Sequence, residues 1–207
     1  MLKKLGIGAT LLFLSIIVLS SAPVFAEYDF SDIDKASKAY KVGNFREAAK
    51  WYRKAAERGM PMAQYELGIL YMFGEGVPQD YKESISWHRK AAGQGMAVAQ
   101  YELGSIYYRG SGVTQDYSEA KKWFQMAAEK GHEQAQYCLG VMYFKGHGAK
   151  QDYINAYAWL TLSTTNRRDS AKPNREMLER LMTSSQLVES NKLFRESLAK
   201  YAIRDVE

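Results

Sequence analysis

The sequence predicts an all-α protein: an α/α-superhelical solenoid of stacked helix pairs closed by a C-terminal helical cap. Three observations predict it. The hexapeptide Ala63-Gln64-Tyr65-Glu66-Leu67-Gly68 recurs as Ala99-Gln100-Tyr101-Glu102-Leu103-Gly104 and then as Ala135-Gln136-Tyr137-Cys138-Leu139-Gly140, a step of 36 residues each time. All four tryptophans, Trp51, Trp87, Trp123 and Trp159, keep that step. Within each period apolar residues fall at helical spacing, and a glycine pair divides the period in two. One period cannot bury its own apolar stripe, so periods must stack on their neighbours.

Residues 1–26 read as a secretory signal. Lys3 and Lys4 give a positive start, Ala9–Leu19 an apolar stretch, and Pro23-Val24-Phe25-Ala26 a cleavage site. Cleavage after Ala26 would leave 181 residues beginning Glu27-Tyr28-Asp29. If retained, the uncharged run Leu5–Ala26 is long enough to span a bilayer and would attach the chain to a membrane. No membrane span is expected in the mature chain. The expected location is therefore the periplasm or the exterior of a bacterial cell.

The remaining elements follow in order. Ser31–Gly59 (31–59) is a shortened first unit, with Lys41-Val42-Gly43-Asn44-Phe45 in place of a long glycine loop. Full units follow at 60–95, 96–131 and 132–167. In the first of these, Ala63, Leu67 and Tyr71 form one apolar stripe at i, i+4 and i+8. Gly68, Gly104 and Gly140 each cost about 1 kcal/mol of helix propensity relative to alanine, so their recurrence predicts close approach of a neighbouring helix backbone. Gly74 and Gly76 stop the first helix. Asp80 starts the second as N-cap, with Glu83 completing a capping box; Asp116 and Glu119 repeat the pair, and Asn44 and Glu47 make a weaker version.

Ser84, Trp87 and Ala91 give the second helix its packed face, and Gly95 ends it. Ala120, Trp123, Ala127 and Gly131 are the next equivalents. In the last unit Ser163-Thr164 replaces the alanine pair and Arg167 the closing glycine, so the array ends there. A cap at 172–203 follows. Lys172-Pro173 opens a helix to about Met182, and Thr183-Ser184-Ser185-Gln186 is a capping box for another to about Tyr201. Leu187, Asn191, Phe194 and Leu198 are expected to face the last unit, with Arg195, Glu196 and Lys200 in water.

The order A-x-x-x-L-G-x-x-Y, two loop glycines, Asp, then W-x-x-x-A-A-x-x-G resembles the Sel-one-like repeat (SLR) family of the tetratricopeptide-repeat (TPR) superfamily. The resemblance covers about residues 31–166; the first unit's turn is more similar to an ordinary TPR turn. It implies an α/α-solenoid whose usual work is protein–protein scaffolding, and it carries no catalytic residue. Some secreted, cysteine-rich members of that family are linked to penicillin binding and hydrolysis. They staple each repeat with a disulfide, and this chain has one cysteine, so nothing is carried over.

Composition excludes more than it assigns. Twenty-eight basic and 23 acidic residues give +5, or +3 without Lys3 and Lys4, too small and dispersed a charge for a nucleic-acid partner. One cysteine rules out a disulfide framework and any multi-cysteine metal site. Cys138 stands where Glu66 and Glu102 stand in other units, so it is expected to be partly exposed, with nothing cationic beside it. His88, His132 and His147 lack metal-ligand spacing and read as surface histidines. Gly74-Glu75-Gly76-Val77 lacks the preceding strand and following Lys-Ser/Thr of a phosphate loop. No cofactor, metal or catalytic residue is expected.

A partner should be read by positions that vary while the packing positions repeat. On the first helices these are Glu66/Glu102/Cys138, Ile69/Ser105/Val141 and Phe73/Arg109/Lys145, bordered by Met72, Tyr108 and Phe144. At i, i+3 and i+7 they share a helix face, a mixed apolar and charged groove for a protein or peptide. The expected function is a monomeric, non-enzymatic, exported scaffold or adaptor. The alternative is a cell-wall-acting enzyme or a modulator of one, which needs unpaired acids or a Ser/Lys pair converging in a groove.

Overall fold

The computed structural model describes residues 30–163 and 171–204. The signal reading of residues 1–26 lies outside the described residues, as do Thr164 and Arg167. From Ser31 onward the chain is one unit. A short pair, α1 (Ser31–Lys41) and α2 (Phe45–Glu57), is followed by three full pairs: α3 (Pro61–Phe73) with α4 (Tyr81–Gly93), α5 (Ala97–Arg109) with α6 (Tyr117–Ala128), and α7 (Glu133–Lys145) with α8 (Tyr153–Leu162). Two helices close the array, α9 (Lys172–Leu181) and α10 (Ser184–Arg204). From α1 to α8 each helix packs on its chain neighbours, and α10 packs on α8. Among the described residues there is no strand, and no helix is long and apolar enough to cross a membrane.

The stripe predicted on each first helix is the core. Ala63 and Leu67, Ala99 and Leu103, and Ala135 and Leu139 are fully buried, each leucine contributing roughly 1.5–3 kcal/mol by leaving water. The helix glycines work differently from expectation. A Cβ on Gly68 would meet the imidazole of His88, and one on Gly104 the ring of Phe124. At Gly140 it would meet Leu160 first and the Ala156 carbonyl second. The glycine thus receives a large side chain from the partner helix, joined in the last pair by a close backbone carbonyl. His88 is accordingly a core residue with no exposed surface, correcting its reading as a surface histidine.

The two loop glycines have separate reasons. Gly74, Gly110 and Gly146 are left-handed helix caps with φ of 71°, 72° and 72°. Gly76, Gly112 and Gly148 lie where a Cβ would collide with Phe45, Tyr81 and Tyr117, the first residue of the second helix in the preceding pair. Each loop therefore docks on the unit before it.

The Gln-Asp-Tyr motif serves that joint. Gln79, Gln115 and Gln151 donate to the carbonyls of Met72, Tyr108 and Phe144 at 2.8, 2.8 and 2.7 Å, closing the end of the first helix. Asp80, Asp116 and Asp152 accept from the backbone N–H three residues on at 3.1, 2.9 and 3.0 Å, opening the second. Only this half of the expected capping box forms. The aspartate N–H groups are taken by the carbonyls of Tyr71, Tyr107 and Tyr143. The glutamates instead accept from indole N–H groups one turn on: Glu83 from Trp87, Glu119 from Trp123 and Glu47 from Trp51. A buried glutamine ladder joins successive pairs, with Gln64, Gln100 and Gln136 donating to the carbonyls of Ala56, Ala92 and Ala128.

At the C-terminus the capping box is complete. The Thr183 N–H donates to Gln186 Oε1 at 2.9 Å, and the Gln186 N–H donates to Thr183 Oγ1 at 3.2 Å. Leu187 packs on the last cluster as expected, but Asn191 and Leu198 are exposed. Ser190 takes the central contact, fully buried and donating to the Ile154 carbonyl at 2.9 Å. A small hydroxyl there lets α10 lie close to α8 while satisfying a backbone acceptor.

Candidate partner-binding face

Of the residues expected to line the groove, the structure buries Ser105, which is hydrogen-bonded with Tyr101 and presents nothing to a partner. Met72 packs on the cluster of Ile85, Leu103 and Ile106. Tyr108 lies against Phe124, Tyr117 and His147, its hydroxyl 3.2 Å from His147 Nδ1. Val141 and Phe144 are half-buried and pack against the cluster holding Leu160, Leu178 and Met182. Of these five Ser105 alone is buried; Met72, Tyr108, Val141 and Phe144 pack on a neighbouring unit or the terminal cap and keep part of their surface exposed. Glu66, Ile69 and Glu102 stay half-buried, while Phe73, Arg109 and Lys145 are exposed.

On α3 the accessible residues form a continuous stripe that begins one turn earlier than expected. Met62, Glu66, Ile69 and Phe73 fall at i, i+4, i+7 and i+11, one line along a helix. Phe73 is 64% and Met62 48% exposed. Met62 was not legible because it precedes the repeated hexapeptide. Burial pushes the Glu66 carboxyl up, and it has no hydrogen-bond or ion-pair partner among the described residues. Burial also pushes Glu102 up, opposed by Arg109. Tyr65 stands in the field of both glutamates, its hydroxyl pushed up to about 12 mainly by burial.

Cys138 continues this row on α7. It is half-buried, as expected, and burial pushes its thiol up to about 11 even though Arg109 pulls the other way. Arg109 is thus the nearby cation that the sequence reading did not see. His132 caps α7, its Nδ1 accepting from the Ala135 N–H, and stacks on Tyr101. Among the described residues no group of histidine, cysteine and acid side chains is placed to hold a metal.

The Sel1 repeat model matches four times, at residues 39–60, 61–96, 97–132 and 133–165. The chain belongs to the Sel1 repeat family. A Sel1 repeat protein from Oxalobacter formigenes is similar at 30% identity over 83% of this chain and 76% of that one, with a TM-score of 0.63. The c5321 protein, a protective antigen present in uropathogenic Escherichia coli strains and displaying an SLR fold, is 33% identical over 76% of this chain and 42% of that one, with a TM-score of 0.54. A Helicobacter pylori protein named "Putative beta-lactamase HcpE" is 35% identical over 60 residues, 29% of this chain. The matched segment spans 17% of the length of that curated relative. Sel1 repeats are typically protein-interaction scaffolds and generally non-catalytic.

Proposed function

We propose that the chain is an exported, non-enzymatic scaffold of the bacterial envelope or exterior, holding a partner protein or peptide on α3 and α5. One observation carries this reading: the packing positions repeat through three units, while the α3 stripe leaves Phe73 exposed and Glu66 without a partner. Burial raises both Glu66 and Glu102, the latter against the pull of Arg109, which suits the two carboxyls to receive a cation brought by a partner.

The test is photo-crosslinking in producing cells, with the crosslinker at Ile69, Phe73 or Arg109 and a control at Glu196 on α10. A discrete adduct from the first three positions, absent from the fourth, is expected. The same adducts from all four positions, or none, refute the assignment. N-terminal sequencing of the mature protein addresses export: a chain beginning at Glu27 supports release, and one retaining residues 5–26 supports membrane attachment.

A further inference from the structure

We propose that the Met62–Glu66–Ile69–Phe73 stripe, with Glu102 beside it, docks a linear segment of a partner protein that carries a basic side chain next to apolar ones. The inference rests on the scaffold reading and names the chemistry of what the scaffold holds.

Charge complementarity selects that occupant. α3 contains no lysine or arginine. On the next helix Arg89 donates to the Tyr107 hydroxyl, Lys90 lies 3.6 Å from the Trp87 ring centroid and Lys82 stands in the first turn; none of these cations acts on the Glu66 carboxyl, which burial alone raises. Glu66 is therefore a carboxylate partly stripped of water without a cation to offset the loss. A carboxylate in that condition favours any cation brought to it. The hydroxyls of Tyr40, Tyr52 and Tyr65 all lie within its field, and of the three Tyr52 is buried.

The apolar half of the segment is chosen by Phe73, Met62 and Ile69. Lys and Arg side chains suit such a mixed surface, laying an alkyl stem along apolar groups while the head reaches an acid. An acidic segment would bring like charge to Glu66 and Glu102. A purely apolar one would bury Glu66 further without a partner.

The experiment pans a phage-displayed library of random 12-residue peptides on the full chain. Enriched peptides should carry Lys or Arg beside apolar residues. A synthetic copy of the most enriched one should bind at least tenfold more weakly to the Glu66→Gln/Glu102→Gln protein and to Phe73→Ser, both with unchanged melting curves. Its affinity should fall as salt rises. Enrichment of acidic or wholly apolar peptides overturns the inference but leaves the scaffold reading intact, as does equal binding to the glutamine variant. Failure to enrich anything, with no discrete crosslink from Ile69 or Phe73, overturns both. Self-association of the chain that is lost in Phe73→Ser also overturns the inference, in favour of a second copy on this face.

Discussion

The imidazole of His88 fills the space that a side chain at Gly68 would need: a Cβ on the glycine would lie 2.7 Å from Nε2. Phe124 stands in the same relation to Gly104, and Leu160 to Gly140, with the partner 20 residues ahead each time. This knob and its glycine seat couple the two helices of every full pair.

Gly104→Ala should therefore destabilise the protein by roughly 1–3 kcal/mol, the range for overpacking a filled core. Gly93→Ala, a helical position where the added Cβ meets nothing within 4 Å, should instead stabilise by about 0.5–1 kcal/mol. Urea titrations of both variants check the pair of signs. Equal effects would make helix propensity, rather than the seat, the reason for the recurring glycine.

His88 makes the fold sensitive to acid. Burial pushes its imidazole down to about 4 from 6.5, and Nε2 has no hydrogen-bond partner there. Between those two values the unfolded chain binds a proton that the folded chain refuses. Stability is thus fully present above about pH 6.5 and declines as pH falls towards 4, by up to ~3 kcal/mol from this group. His88→Phe, which installs the side chain already found at position 124, should flatten that decline. Urea midpoints from pH 7.5 to 4.5 compare the two proteins, and parallel curves would exclude His88 as the source.

Much of the fold is readable because the period is strict: helix bounds, caps and the Ala/Leu stripe all repeat in register. The identity of the knob is not, since His, Phe and Leu at positions 88, 124 and 160 leave no repeated letter. Glu83 and Glu119 suggested a full capping box because Trp87 and Trp123 look like core residues alone, whereas each indole also needs an acceptor. The candidate face was legible in part. Phase along a helix gives Ser105 and Val141 equivalent positions, but how far each is buried depends on the helices packed around it: Ser105 is buried and Val141 half-buried.

Removing the acceptor tests that use of glutamate. Glu119→Ala should lose the 3.0 Å bond to the Trp123 indole and cost about 1 kcal/mol. It should also alter tryptophan emission, which Ser118→Ala at the exposed position before Glu119 should leave alone. Identical spectra in both variants would contradict the assigned bond.

Cys138 should be a slow thiol. With its pKa pushed up to about 11 from 9.0, it carries roughly a hundredfold less thiolate near neutral pH. Reaction with a disulfide reagent at pH 8 should lag far behind free cysteine, and Arg109→Glu should slow it further by removing the opposing positive charge. A rate matching free cysteine in the folded protein would reopen a redox role.

The loop glycines give the array a property of whole periods. Gly148 seats Tyr117, and Gly112 seats Tyr81; Gln136 reaches Ala128, and Gln100 reaches Ala92. Excising residues 97–132 would bring Gly148 to Tyr81 and Gln136 to the Ala92 carbonyl. Tyrosine would meet glycine and amide would meet carbonyl, as before. A gene for such a chain can gain or lose complete periods by unequal recombination and still encode matched junctions, whereas a cut that is not a whole number of periods leaves a junction with no counterpart.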